Sequence, residues 1–116
     1  MRLLFWRRAE IGAAAFLRAQ GYKVIASNFR VREGEVDLIA WDREILVFVE
    51  VKSLAASDAV PEAAVTFRKQ RRIVRAARQY IAKHRLFEAC IRFDIVAVTG
   101  AAGASPSFRL IQNAFT

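Results

Sequence analysis

The chain is poor in the residues on which several classes of protein depend. One cysteine, Cys90, stands among 116 residues, so an internal disulfide is excluded, and the lone thiol fits a reducing cytosol. The sequence has one histidine, with no zinc-ligand spacing of Cys and His, no Ser-His-Asp set and no glycine-rich phosphate loop. Cys90 opens a predicted strand without a histidine partner, and we expect it in the core.

Long apolar runs are also missing. The apolar stretch before Arg7 and Arg8 is four residues long, too short for the apolar region of a signal peptide. The longest run there without charged or strongly polar residues, Ile11 to Leu17, is far shorter than a membrane span. We therefore expect a cytoplasmic protein that does not engage a membrane.

What the chain has in excess is apolar residues and positive charge. Apolar residues make up 55% of the sequence, which supports one folded domain over residues 1–116. Nineteen Lys and Arg against eleven Asp and Glu give a net charge of +8. Such a field favours polyanions such as DNA or RNA, although a basic protein with no such partner has the same composition.

Hydrophobic spacing predicts an α/β protein in the order α-β-β-β-α-β-β, a mixed sheet of about five strands flanked by helices. Gly21 is the expected end of the first helix, and Thr66 the N-cap of the second. The predicted helices cover residues 4–20 and 67–84. The predicted strands cover residues 22–29, 35–41, 45–52, 89–99 and 108–111, with loops at 53–61 and 100–107.

The second and third predicted strands carry charges inside apolar runs. Glu50 and Lys52 are two residues apart and share a strand face, and Asp37 lies thirteen residues before Glu50. A four-residue loop from Trp41 to Glu44 would make Asp37 and Glu50 diagonal neighbours on one face, whereas an odd loop would separate them. Buried charges need a partner, a metal or solvent.

This set matches the needs of phosphodiester hydrolysis with Mg²⁺ or Mn²⁺. Asp37 and Glu50 would hold the cation, and Lys52 would orient water or stabilise the transition state. The competing interpretation is an ordinary Glu50–Lys52 ion pair at a solvated strand end. Glu10 is a further candidate metal ligand, or else a surface residue paired with a nearby base. Glu35, two residues before Asp37 on the same face, could ligate a second ion, but we expect it to pair with Arg32 or Lys52.

The second helix carries a stripe of positive charge. No Asp or Glu lies between Phe67 and Arg85, whereas a solvated charged face normally mixes both signs. Such a stripe suits the phosphate backbone of a nucleic acid. The candidate nucleic-acid-binding residues are Arg68, Lys69, Arg71, Arg72 and Arg75.

Several segments together resemble the YraN-like family of small bacterial proteins over nearly the whole chain. These are Gly21-Tyr22, Asn28-Phe29-Arg30, Gly34 to Ala40, Val47 to Lys52, Ala64-Val65-Thr66, Lys69 to Arg72, Arg92 to Val98 and Ile111 to Phe115.

That family in turn resembles archaeal Holliday-junction resolvases and the PD-(D/E)xK restriction-endonuclease-like fold. The resemblance implies that Asp37, Glu50 and Glu10 are metal ligands and that Lys52 is the catalytic lysine. It also implies a homodimer. The chain departs from the family at Leu54, where an arginine usually follows the lysine motif and would contact phosphate.

The resulting hypothesis is a magnesium-dependent DNA endonuclease, with branched or junction DNA as a candidate substrate. The alternative is a nucleic-acid-binding module that keeps the nuclease fold without cutting. A third interpretation is a basic adaptor that docks an acidic protein.

Overall fold

The computed structural model describes residues 2–54, 65–100 and 105–116, with side chains from residue 9 onward. Helices and strands follow in the predicted order. They are α1 Arg2–Ala19, β1 Lys23–Val31, β2 Gly34–Asp42, β3 Ile45–Leu54, α2 Phe67–His84, β4 Cys90–Thr99 and β5 Ser107–Phe115. The predicted loop residues 55–61 and 101–104 lie outside the described residues.

The five strands form one mixed sheet in the spatial order β1-β2-β3-β4-β5. Strands β3 and β4 are parallel, and every other neighbouring pair is antiparallel. A parallel pair needs a crossover between its strands, and α2 lies in that connection. The predicted α/β class and restriction-endonuclease-like arrangement are confirmed.

A helix covers each face of the sheet, so the core has two halves. The α1-side cluster joins buried α1 residues such as Ala13 and Leu17 to Val47, Val49 and Val51. The α2-side cluster joins Ile73, Ala77 and Tyr80 of α2 to Leu46, Phe48 and Ile95. Because alternate residues of β3 enter opposite halves, the strand is apolar on both sides, as its continuous apolar run predicts.

Both helix ends predicted from the sequence are present. Gly21, with φ of 94°, follows the end of α1 and adopts a conformation that favours glycine. The side chain of Thr66 accepts a hydrogen bond from the backbone N–H of Lys69 and caps α2. Gly34 is needed for a different reason. A Cβ there would overlap the backbone carbonyl oxygen of Arg72, so α2 packs directly on the start of β2.

Two expectations need correction. Strand β5 runs over Ser107–Phe115, well beyond the predicted residues 108–111. A bulge at Asn113, with φ of 52°, absorbs a shift in register, so the pairing with β4 continues to Phe115. The polar residues at the bulge indicated the end of the strand in the sequence. Cys90 is exposed rather than in the core, because it begins β4 beyond the part of the sheet that the helices cover.

Within the described ranges, neither helix is long and apolar enough to cross a membrane.

Candidate active site

The hairpin between β2 and β3 sets the register of the candidate site. Asp42 pairs with Ile45 across a two-residue turn, and Ala40 pairs with Val47. The predicted register, with Ala40 opposite Ile45, is therefore wrong by two residues, because the strands pair closer to the tip than the apolar pattern suggested. The number of loop residues is even, as predicted, so Asp37 and Glu50 still lie on the same face of the hairpin.

The observed register improves the geometry that the hypothesis needs. The last pair in the ladder is Leu38 with Val49, so the next residues along the strands, Asp37 and Glu50, face each other directly. They are thus direct rather than diagonal neighbours. Asp37 and Glu50 are close enough to share a hydrogen bond.

Strands β2 and β3 separate at this point and form a fork. Asp37 Oδ2 accepts a hydrogen bond of 2.8 Å from the backbone N–H of Val51, so a side chain replaces the backbone pairing. The alternation of β2 side chains between the two faces of the sheet also breaks here. Leu38 packs in the α1-side cluster and Val36, two residues away, packs in the α2-side cluster. The half-buried Asp37 therefore lies where the strand changes the face that it presents to each helix.

Asn28 lies on β1 across from Asp37, between the pairs Ser27–Leu38 and Phe29–Val36. Its backbone has φ of 52°, a left-handed conformation that Asn tolerates better than most residues. Its Nδ2 atom donates a hydrogen bond of 2.8 Å to Glu10 Oε2. The sequence interpretation gave Asn28 no role of its own. Asn is depleted from strands, and its place inside an otherwise strand-like segment was the available signal.

The charge on Glu50 is strongly disfavoured in this arrangement. The side chain is 6% exposed, and burial raises the pKa of Glu50 to about 9, with further contributions from the hydrogen bond and the negative charge of Asp37. The positive charges of Lys69 and Lys52 act in the opposite direction. At neutral pH the neutral form of the Glu50 carboxyl group is therefore favoured.

The two other acids near the site differ in their surroundings. Burial raises the pKa of Glu10, the hydrogen bond from Asn28 lowers it, and the negative charge of Asp37 raises it again. Glu35 is also partly desolvated by burial, but Lys69 and Arg30 outweigh this and hold its pKa below the ordinary value. Glu35 pairs with Arg30 and Lys69, at 3.3 and 3.2 Å, rather than with Arg32 or Lys52.

Two lysines stand beside the carboxylates. Lys52 is half-buried, shares the strand face of Glu50 and interacts electrostatically with it. Lys69 comes from α2: its Nζ lies 3.7 Å from Glu50 Oε2 and 3.2 Å from Glu35 Oε1. Lys69 was predicted as one member of a phosphate-binding stripe, and the structure places its ammonium beside the carboxylates of the candidate site.

The remaining residues of the basic stripe lie on the outside of α2. Arg68, Arg71 and Arg75 are exposed, and Arg72 is half-buried. Arg71 stacks over the exposed Phe67 ring, with its guanidinium carbon 5.8 Å from the ring centre. A row of guanidinium groups thus runs along the surface of the helix whose first turn carries Lys69.

The donor set fits a small divalent cation. Among the described residues, no three His, Cys, Asp or Glu side chains form a group that could enclose a metal ion. Mg²⁺ does not require such an enclosure, because it is commonly held by one or two carboxylates with waters and substrate phosphate completing the shell. Asp37 and Glu50 supply that pair, and Glu10 is near enough to interact with Asp37 electrostatically.

A second buried polar cluster lies on the α1 side of the sheet. Asp94 pairs in register with Val49 and is fully buried. Its carboxylate accepts hydrogen bonds from the Tyr22 hydroxyl at 2.8 Å, from Arg92 and from the backbone N–H of Asn113. Because these groups satisfy one another, we interpret the cluster as structural: it holds the β5 bulge against β4.

The mixed sheet between two helices has the restriction-endonuclease-like arrangement. Asp37 on its second strand and Glu50-Val51-Lys52 on its third stand at the positions that the resemblance to PD-(D/E)xK proteins predicts for a site. The chain belongs to the UPF0102 family: the family model described as "Uncharacterised protein family UPF0102" matches residues 9–98. The resemblance to YraN-like proteins is thereby confirmed.

Relatives from several bacteria match over most of their length. A UPF0102 protein of Symbiobacterium thermophilum is 48% identical over 107 residues, covering 91% of each chain. One of Trichlorobacter lovleyi is 45% identical over 91% of this chain and 85% of its own. One of Geobacter metallireducens is 41% identical over 93% and 88%.

Proposed function

We propose that this protein is a divalent-metal-dependent endonuclease that acts on DNA. The observation that carries the proposal is the meeting of Asp37 and Glu50 at the fork between β2 and β3. Glu50 is buried and faces the half-buried Asp37, and the pKa of Glu50 is raised to about 9, so a bound cation would stabilise the ionised form of this pair. Lys52 supplies the ammonium that the chemistry also needs.

The residues divide the work between holding the cation and stabilising the phosphate. When bound by Asp37 and Glu50, Mg²⁺ or Mn²⁺ would lower the pKa of a water ligand and neutralise charge on the scissile phosphate. Lys52, on the same strand face as Glu50, would stabilise the additional negative charge of the transition state or orient the attacking water. Asn28 holds Glu10 in place at 2.8 Å, and Glu10 in turn adds negative charge beside Asp37.

The basic face of α2 supports nucleic acid as the substrate. Arg68, Arg71 and Arg75 project outward from the helix whose first turn brings Lys69 into the site. Arg75 follows Arg68 by seven positions on the helix, a separation of about 10 Å along its axis, which is enough to follow more than one phosphate of a strand. Exposed guanidinium groups on one helix face suit contacts with the phosphate backbone rather than with base edges. Such contacts are compatible with selection of DNA by its shape.

A specific observation supports the second candidate, a nucleic-acid-binding module that does not cut. Leu54, at the position where the resembling family carries an arginine, is 9% exposed. An apolar side chain packed in the core offers no contact to phosphate. A chain that binds DNA through the arginines of α2 but lacks this contact to phosphate would bind DNA without cutting it.

The test is cleavage of labelled four-way-junction, flap, single-stranded and duplex DNA, with an RNA strand in parallel, in Mg²⁺ or Mn²⁺. Wild type should cut at least one of these substrates. Asp37→Asn and Glu50→Gln should each lose at least about 100-fold, the scale of removing a major electrostatic contribution. Binding without metal-dependent cutting, unchanged in both variants, would reject the nuclease in favour of the binding module.

A further inference from the structure

We propose that Lys69 is a built-in counter-cation of the carboxylate site, released to a backbone phosphate when a divalent cation binds Glu50. This inference rests on the proposed function and adds a regulatory step to it. In the absence of metal, Lys69 compensates the negative charge of Glu35 and of the facing pair Asp37 and Glu50. Once Glu50 holds a metal, the Lys69 ammonium becomes available to the substrate.

The position of Lys69 on α2 separates it from the exposed arginines. It precedes Ile73 by four residues and Ala76 by seven, so it continues the buried face of the helix at its first turn. The Thr66 cap fixes the backbone of that turn through a hydrogen bond of 3.2 Å to the Lys69 N–H. The side chain is consequently directed at the sheet, and its Nζ lies between Glu35 and Glu50.

The charges around Lys69 explain why it rests there. Glu50 is almost fully buried and faces a second acid, so the negative charge that the Asp37–Glu50 pair carries needs a compensating cation. Among the described residues, Lys69 is the cation that forms a salt bridge with Glu50, at 3.7 Å. Its side chain is 30% exposed, which leaves a route outward.

The same geometry makes the position untenable once a metal is bound. A divalent cation coordinated by Glu50 would stand a few ångströms from the ammonium, and like charges at that separation repel strongly in a partly buried site. A lysine can respond by swinging its flexible chain. The outward direction leads to the face where Arg68 and Arg71 would hold phosphate, so Lys69 would exchange a carboxylate partner for a phosphate partner.

This exchange couples two binding events, and coupling can be measured without catalysis. Mn²⁺ affinity without nucleic acid is measured by electron paramagnetic resonance for wild type, Lys69→Met and the control Lys83→Met. The control removes the same charge from the same helix, fourteen residues further on, about 21 Å along its axis. Lys69→Met should bind Mn²⁺ at least about threefold more tightly than wild type, and Lys83→Met should match wild type.

The second arm measures DNA affinity with and without Ca²⁺, a cation used here to fill the site without supporting cleavage. Ca²⁺ should raise the DNA affinity of both proteins, and the factor of increase for wild type should exceed that for Lys69→Met by about fivefold or more. Fivefold is the lower end of common coupling factors. The pair Lys69→Gln and Lys69→Arg repeats the comparison in case the methionine variant folds poorly. Gln should tighten Mn²⁺ binding, and Arg should retain the wild-type value.

The outcomes separate this inference from the function on which it rests. If Lys69→Met and Lys69→Gln bind Mn²⁺ as wild type does or more weakly, while Asp37→Asn abolishes binding, Lys69 is a structural ion pair and the inference is overturned. If wild type binds Mn²⁺ no better than Asp37→Asn and Glu50→Gln, the metal site itself is absent and the proposed function fails first.

Discussion

Asp37 Oδ2 and the backbone N–H of Val51 are joined by a hydrogen bond of 2.8 Å across the fork between β2 and β3. The bond substitutes for strand pairing where the ladder ends. It fixes the Asp37 carboxylate opposite Glu50, the residue just before Val51. The opening of the fork and the position of the acid are therefore consequences of one contact.

The first prediction concerns that contact and compares two substitutions that remove the same charge. In Asp37→Asn the amide oxygen still accepts from Val51, whereas in Asp37→Ala the buried N–H loses its partner. We expect Asn to be more stable than Ala by about 1–3 kcal/mol, the usual cost of an unsatisfied buried group. Urea denaturation measures the difference, and equal stability would show that the bond contributes nothing to the fork.

The second prediction is a dependence of stability on pH in metal-free protein. The pKa of Glu50 rises on folding to about 9, so between its unfolded value near 4.5 and 9 the folded state binds more protons than the unfolded state. Stability must then decrease as pH rises through this window. Thermal unfolding in EDTA from pH 5 to 9 should show a falling melting temperature.

Glu50→Gln is the control for that experiment. Its amide can donate to Asp37 as the protonated acid does, and it cannot ionise. The variant should therefore lose much of the pH slope and be more stable than wild type at pH 8. A slope identical to that of wild type would assign the effect to other groups.

Most of the fold could be predicted from the sequence because its signals are local. Thr66 and Gly21 indicate helix ends by their own chemistry, and the apolar runs of β2 and β3 indicate strands with two covered faces. Asp37, Glu50 and Lys52 stood out because charges inside such runs demand an explanation. The β5 bulge was missed because it depends on a contact distant in sequence, in which the backbone N–H of Asn113 donates a hydrogen bond to Asp94.

The roles of Asn28 and Lys69 were harder to predict, since both depend on contacts between elements far apart in sequence. Asn28 lies eighteen residues from Glu10, and Lys69 nineteen residues from Glu50. Lys69 also sits within a run of arginines, which favoured the surface interpretation. Its spacing from Ile73 was the clue that it lies on the buried face.

The third prediction separates the two functions of Asn28. Both Asn28→Gly and Asn28→Ala remove the hydrogen bond that lowers the pKa of Glu10, so both should raise that pKa further. Only the alanine is strained at φ of 52°, and it should cost about 1–2 kcal/mol of stability relative to glycine. Carbon-13 NMR titration of Glu10 and denaturation measure the two effects. An unchanged Glu10 pKa in both variants would contradict the link.

The fourth prediction concerns the exposed arginines of α2. Replacing Arg68, Arg71 and Arg75 with alanine should weaken DNA binding and reduce the slope of log affinity against log salt concentration by up to about three, since each phosphate contact contributes roughly 0.9. Fluorescence anisotropy over a KCl series measures the slope.

The matched control for the fourth prediction is the triple variant Lys23→Ala, Lys83→Ala and Arg109→Ala. It loses the same number of positive charges from exposed positions outside the stripe. A control that lowers the salt slope as much as the stripe variant would show that net charge, rather than the arginine stripe, binds the nucleic acid.

The most direct test of the account is anomalous diffraction from crystals of wild type and Asp37→Asn soaked in Mn²⁺. Wild type should show a strong anomalous peak within coordination distance of the carboxylates of Asp37 and Glu50, and the variant should lose this peak. A wild-type map without a peak there, with the two carboxyl groups still hydrogen-bonded to each other, would contradict the assignment of this pair as a metal site.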